Sequence, residues 1–281
     1  MMANRTKPSV EKLIRGYLGF CEGRGKAALT ISSYGSDLHQ FKNWLEERGL
    51  DFYSLRAKDF DLYLSDLRKE GKRVNTQRRK LLSARALYRY AFTRKKLDLH
   101  PALHVKAPER KERLPWIPNR DEVNRLISRC GGEGALAVRS RLIVRVLCET
   151  GMNVSELCSL EWRDCQGDQL TVQGKRKRVL RISQELRDLL AAWRMLHSGK
   201  HLFPGFNRFG PTSLRLTNRG VEVLFRRLST GLPRLHPKAL RHHAVMAWLV
   251  EGVADTEIRR RLGVNPLWSL DLYRRALERT V

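Results

Sequence analysis

Between residues 9 and 100 apolar side chains return every three or four positions, and that period admits little besides α-helix. Val10, Leu13, Ile14, Tyr17 and Leu18 form one such stripe. Thr30 to Arg48 repeats it with Tyr34, Leu38, Phe41, Trp44 and Leu45, and a third helix spans about Ala57 to Lys69 with Phe60, Tyr63, Leu64 and Leu67. Asn75 is placed to cap a fourth, whose buried face is Leu81, Ala84, Tyr88 and Ala91 and which leaves Arg78, Arg79, Arg85 and Arg89 outside. This makes a helical domain over residues 1–100. From Pro101 to Asn119 the period lapses into PALHVKAPERKERLPWIPN, whose four prolines and basic run read as a linker, extended at each residue before proline.

A second domain over residues 120–281 mixes periods. Val138 to Thr150 is an apolar helix ending at Gly151. Leu170 and Val172 then alternate, GKRK makes a turn, and Val179 to Ile182 returns as the second arm of a β-hairpin. Helices resume around Gln184 to Leu196 and Arg219 to Ser229. In the stretch from His236, Pro237 suits a first helical turn, Leu240, Ala244, Ala247 and Trp248 share a buried face, and Lys238 and Arg241 share another. Gly252 is placed to end that helix, Asp255 to cap the next and Gly263 to end it. Asn265 and Pro266 read as the N-cap and first turn of a last helix with Leu267, Leu270 and Leu277, and Tyr273 lies inside it. The fold class is mainly α with a small β-hairpin or sheet: a helical domain followed by an α+β domain.

Charge narrows the partner. With 55 Lys and Arg against 29 Asp and Glu, the net charge of +26 calls for a polyanion, DNA or RNA first. No segment approaches the apolar length of a spanning helix and the amino terminus lacks a signal-peptide core, so no membrane is expected and the cytoplasm is. The five cysteines include no CxxC pair and the eight histidines no ligand spacing, so neither metal nor cofactor is implied. An arginine, a lysine and a tyrosine brought together suit a phosphodiester, because guanidinium grips two phosphate oxygens and a phenol is a nucleophile. On these residues alone, solvated cations beside a packed tyrosine fit as well.

Longer motifs separate the two. Residues 150–164, TGMNVSELCSLEWRD, resemble the first signature box of the tyrosine recombinases, the phage integrase family with its Xer-like members, through Thr150, Gly151, Val154, Ser155, Glu156, Leu157, Leu160, Trp162 and Asp164. The second box is matched by His236, Pro237, Lys238, Ala239, Leu240, Arg241 and His242, and the third by Leu262, Gly263 and Tyr273. The resemblance implies that residues 1–100 are a SAM-like core-binding domain gripping DNA from the side opposite a catalytic domain, as a C-shaped clamp. It implies Tyr273 as nucleophile, forming a 3′-phosphotyrosyl link and releasing a 5′-hydroxyl without metal or cofactor. Arg241 matches the second-box arginine, Lys238 the adjoining His/Lys position, and Lys175 the hairpin lysine with Lys177 in reserve. Arg78, Arg79, Arg85, Arg89, Lys177 and His242 are the expected DNA contacts.

Two positions depart from the pattern: Asn153 stands where the family has arginine, and Val264 where it has His or Trp. Asparagine makes no charged bidentate grip and valine donates no hydrogen bond. Losing one preorganised donor costs on the order of 10² to 10³ in rate. The leading expectation is therefore a DNA-binding protein that clamps specific duplex sites with weak or absent strand cleavage. The alternative is an active recombinase or integrase, its missing groups supplied by another cation or a partner recombinase. A charge-held packaging protein is the third. The implied partners are double-stranded DNA and, on it, further copies of the chain or a second recombinase, with a nucleoid-associated location.

Overall fold

The computed structural model describes residues 7–97, 99–109, 116–174, 176–232 and 235–278. The chain divides into two compact units, Met1–Glu112 and Arg113–Val281.

In the first unit the apolar stripes form α1 (Val10–Gly23), α2 (Ala28–Glu47), α3 (Ala57–Lys69) and α4 (Val74–Thr93). Ser9 caps α1, its hydroxyl accepting from the Lys12 amide at 3.2 Å. The stripes meet in an aromatic core of Phe41, Phe52, Phe60, Tyr63 and Tyr88, all buried. The Phe52 and Tyr88 rings stack with centroids 4.2 Å apart. The Tyr88 hydroxyl donates to the Phe52 carbonyl at 2.8 Å, so this buried phenol is satisfied. Beyond α4, Ala102 and Val105 are buried in the same core.

The fourth helix differs from its sequence reading in two ways. Asn75 is not its cap: α4 starts at Val74 behind Arg73. The Gln77 side chain donates to the Lys72 carbonyl at 2.7 Å and fixes the entry of the chain before Asn75. Nor do the four arginines form one outer face. Arg79 and Arg89 are exposed, but Arg78 and Arg85 are half-buried. Arg78 Nη1 donates to the Pro108 carbonyl at 3.0 Å and Arg85 donates to the Val105 carbonyl. Unpaired carbonyls of the segment after α4 draw these cations inward. Arg79 pairs with Asp37, a carboxylate only 1% exposed that also accepts from Ser83 Oγ at 3.0 Å.

The second unit is built around α6 (Ala135–Thr150), preceded by α5 (Arg120–Ser128). Leu142, Ile143, Val144, Val146 and Leu147 of α6 are fully buried, as expected of a helix apolar around most of its circumference. After α7 (Val154–Ser159) and a 3₁₀ turn at Trp162–Asp164, β1 (Cys165–Gln166), β2 (Gln169–Val172) and β3 (Arg178–Arg181) form an antiparallel sheet in the order β1-β2-β3. The expected hairpin is its β2–β3 half, with Leu170 opposite Leu180 and Val172 opposite Arg178. Alternation puts Leu170, Val172, Arg178 and Leu180 on the buried face.

After α8 (Gln184–Leu196) comes a second hairpin, β4 (Pro204–Asn207) with β5 (Gly210–Arg215), which the sequence reading did not contain. The segment is short and rich in Gly and Pro, so it shows no period-2 pattern. α9 (Asn218–Leu228), α10 (Pro237–Val250), α11 (Asp255–Leu262) and α12 (Asp271–Glu278) complete the unit. Asp255 is the first residue of α11 rather than its cap, and its carboxylate pairs with Arg259 and Arg274 at 3.4 and 2.5 Å. The last helix starts at Asp271, not at Asn265. Asn265 Oδ1 accepts from the Leu267 amide at 2.9 Å, closing an Asx turn, and Ser269 Oγ accepts from the Asp271 amide at 3.0 Å. Ala244, Val245, Trp248, Ile258, Leu262, Leu270 and Tyr273 form a small core of their own. Among the described residues no helix is long and apolar enough to cross a membrane.

Gly151, which ends α6 at φ +58°, brings that helix close to α10 and α11: a Cβ there would lie 3.0 Å from the Trp248 ring and 3.2 Å from Leu262. A left-handed alanine costs about 1–2 kcal/mol and overpacking about 1–3 kcal/mol. Gly151→Ala should therefore lower unfolding stability by about 2 kcal/mol or more, measured by urea denaturation followed by tryptophan fluorescence. An unchanged midpoint would mean that the turn relaxes freely.

Candidate active site

The site grows from the first turns of α10. His236 caps the helix, its Nδ1 accepting from the Ala239 amide at 3.1 Å, and Pro237 occupies the first turn. Ala239, Leu240, Ala244, Val245 and Trp248 are buried, which leaves Lys238, Arg241 and His242 on the remaining face. Lys238 is exposed; Arg241 and His242 are half-buried.

Arg241 reaches two main-chain carbonyls, donating from Nη1 to Gly151 at 2.6 Å and from Nη2 to Leu262 at 2.9 Å. The neighbouring carbonyls at the end of α11 are taken by guanidiniums too. Arg178 Nε donates to Arg261 at 2.6 Å, and Arg176 Nη1 donates to Gly263 at 2.8 Å. The last turn of a helix leaves carbonyls unsatisfied at the negative end of its dipole. Here the amides of Gly263 and Val264 turn back to the carbonyls of Arg260 and Arg259. The three arginines take the next three carbonyls. Gly263, at φ +60°, permits this approach, since a Cβ there would lie 2.6 Å from Arg178 Nη1.

Arg178 is itself gripped by Glu156 in a two-pronged pair, at 2.8 Å from Nη1 and 2.9 Å from Nη2. Its side chain is 4% exposed. Burial pushes the Glu156 carboxyl up, but hydrogen bonds from Arg178 and the Asn153 amide, with the charges of Arg178 and Arg241, outweigh it and hold the group below its ordinary value. The sequence reading did not name Arg178 or Arg176 as site residues. A signal was present: period-2 alternation puts Arg178 on the inward face with Leu180, where a lone cation needs a partner.

Tyr273 is 4% exposed. Its hydroxyl lies 2.5 Å from His242 Nδ1, and the Trp268 ring packs 5.7 Å from its own. Burial pushes the phenol up to about 12, against the pull of Arg241. Burial, then Lys238, His236 and Arg241, press the His242 imidazole down to about 4. At neutral pH the phenol is therefore protonated and the imidazole uncharged, and in the tautomer with its hydrogen on Nε2 the ring accepts from the hydroxyl on Nδ1. His242, expected as a DNA contact, is thus engaged with the tyrosine.

The two departures are occupied with structure. Asn153 is exposed and caps α7: its Oδ1 accepts from the Glu156 amide at 2.9 Å while Glu156 accepts from the Asn153 amide at 2.9 Å. Val264 packs against the small apolar core of α10–α12. It also borders a cavity of about 420 Å³ lined by Arg176, Lys177, Arg178, Arg259 and Arg260. Lys177 is exposed there. Lys175 lies outside the described residues. Among the described residues no three His, Cys, Asp or Glu side chains come together as a metal site.

The phage integrase family matches residues 119–279, and the phage integrase N-terminal SAM-like domain matches residues 16–95. The chain belongs to the phage integrase family, the tyrosine recombinases. Tyrosine recombinase XerC of Bacillus pumilus is 26% identical over 261 residues, 88% of this chain and 86% of that protein. Tyrosine recombinase XerD of Rhizobium meliloti is 27% identical over 271 residues, 91% of this chain and 87% of that one. Among solved structures, a lambda integrase dimer bound to a COC′ core site has the same fold at a TM-score of 0.74 and 18% identity, covering 94% of this chain and 76% of that one. The XerH site-specific recombinase bound to palindromic difH substrate gives 0.73 at 17% identity, covering 97% and 84%.

Glu156 links the α7 cap to buried Arg178, so its loss leaves an unpaired buried cation. Removing one partner of such a pair costs about 3–5 kcal/mol. Glu156→Gln should destabilise the protein at pH 7 by an amount in that range. Because the folded carboxyl is held low, its contribution is fully present above the ordinary value of 4.5 and fades as pH falls through the folded value. Acid titrations of wild type and Glu156→Gln should accordingly converge below pH 4.5, and parallel curves would remove Glu156 from this role.

Proposed function

We propose that this protein binds double-stranded DNA at specific sites and that its own strand cleavage is strongly slowed. Residues 1–100 serve as the helical DNA-binding domain, 101–119 as the connection and 120–281 as the catalytic-type domain. The observation that carries the reading is Asn153, a neutral side chain spent on capping α7 where the family motif has an arginine. Phosphate then meets Arg241, which has donors left beyond its two carbonyl bonds, but no second guanidinium from that position. The net charge of +26 supplies non-specific attraction to the backbone, and exposed Arg89 is the freest cation among the four arginines of the first unit's candidate face.

A second reading, an active site-specific recombinase working alone or with a complete partner, is favoured by one observation. Tyr273 keeps a hydrogen-bonded hydroxyl close enough to Arg241 to feel its charge. The chemistry would be attack of the phenol on a scissile phosphate, with a 3′-phosphotyrosyl link and a free 5′-hydroxyl as products.

Duplexes selected from a random pool, nicked beside the candidate cleavage point, separate the readings. The binding reading expects selected sequences, little covalent product, and full affinity in Tyr273→Phe. Asn153→Arg with Val264→His should raise the covalent product by 10²-fold or more, on the order of one restored oxyanion donor. Abundant adduct in the unaltered chain would overturn the slowed-cleavage reading. Equal affinity for all sequences would overturn site specificity.

A further inference from the structure

The nucleophile of such a reaction must lose a proton, and the hydrogen bond between α10 and α12 shows where it can go. We propose that His242 is a catalytic residue that accepts the Tyr273 proton on Nδ1 as the phenol oxygen attacks phosphorus, a role that rests on the family chemistry set out above. The Tyr273 O–P bond forms as the P–O5′ bond breaks. The phenol proton moves to His242, and the departing 5′ oxygen takes one proton from solvent, so charge and protons balance.

Geometry carries the assignment. A general base must sit within hydrogen-bond reach of the proton it removes, and Nδ1 is 2.5 Å from the hydroxyl. Tyr273 packs in an apolar cluster with Trp248, Leu262, Leu270 and Trp268, none of which offers its hydroxyl a competing strong acceptor. The charged and titratable groups bearing on His242 are Lys238, His236 and Arg241 from its own helix and Tyr273 from α12. None of the three α10 neighbours competes for the proton. Lys238, four residues earlier on the same face, is exposed and as an ammonium has only donors. His236 Nδ1 is engaged by the Ala239 amide. Arg241 has donors only.

Burial and the neighbouring charges keep the ring uncharged, and a ring that accepts from the Tyr273 hydroxyl on Nδ1 carries its hydrogen on Nε2. A ring that was already an imidazolium could not take the proton. A bound phosphate brings negative charge beside the same groups, which favours the imidazolium at the moment it forms. His242 therefore idles as an acceptor and becomes a base when substrate charge arrives.

The test compares wild type, His242→Asn and His242→Ala on a selected, nicked duplex. Asparagine can present a polar atom near the Nδ1 position without being a base. The expected outcome is DNA affinity within about twofold of wild type and adduct formation slower by 10²- to 10⁴-fold, the range of general-base contributions. Added imidazole should restore part of the rate in His242→Ala. Raising the pH toward 10 should narrow the gap as the small phenolate fraction of a phenol held near 12 grows. With sulfur replacing the bridging 5′ oxygen, the leaving group needs no proton and the gap should persist. Wild-type rates in His242→Asn, absence of imidazole rescue in a variant that binds, or a gap that closes with the sulfur duplex would each overturn the assignment.

Independently of any substitution, ¹⁵N resonances of wild-type histidine should show His242 Nδ1 unprotonated at pH 7, and a protonated Nδ1 would overturn it. If wild type bound its selected sites but formed no adduct, this role would fall while the binding reading stood. If no site were selected, the binding reading itself would fall.

Discussion

The carboxyl-terminal end of α11 is the point on which the second unit depends. Three consecutive carbonyls, of Arg261, Leu262 and Gly263, are each taken by an arginine, two from the β2–β3 hairpin and one from α10. Arg178 comes from the start of β3, Arg241 from α10 and Arg176 from the hairpin turn. A buried carbonyl without a partner costs about 1–3 kcal/mol, so the part-buried contacts to Arg261 and Leu262 tie hairpin, α10 and α11 into one arrangement. The tie also sets where the Arg241 guanidinium points, because two of its donors are already fixed.

That arrangement separates two uses of cationic side chains. Arg178 is a structural cation, fully enclosed and neutralised by Glu156. Arg241 is half committed: main-chain carbonyls hold it without neutralising its charge, and an anion can still draw on its remaining donors. The first unit repeats the division. Arg78 and Arg85 are spent on carbonyls of the segment after α4 and Arg79 on buried Asp37, whereas Arg89 remains exposed. The high net charge therefore overstates the surface available to a polyanion.

Asn153 is committed to the start of α7. As an N-cap it is among the best residues available, and its reciprocal bond with Glu156 also steadies the carboxylate that holds Arg178. An arginine at the same position would forgo that cap. Local stability and phosphate binding thus pull this position in opposite directions, and here the helix start has the side chain.

The sequence by itself determined the four helices of the first unit and most of those of the second, though not α5 or α7, because a 3.6-residue period of large apolar side chains permits few alternatives, and it determined the β2–β3 hairpin through alternation. It also placed Tyr273, Arg241, Asn153 and Val264 in motifs that are each contiguous in the chain. Tertiary structure decided what contiguous motifs cannot hold. Asn265 has the signature of a helix start, yet local Asx geometry closed a turn and delayed α12 to Asp271. Arg178 and Glu156 are 22 residues apart and meet because the sheet carries one back to the other. His242 and Tyr273 are 31 residues apart, and packing of α12 on α10 makes the imidazole the tyrosine's partner rather than a surface cation. Periodicity reports which face of an element is buried; which groups meet there depends on how the elements cross.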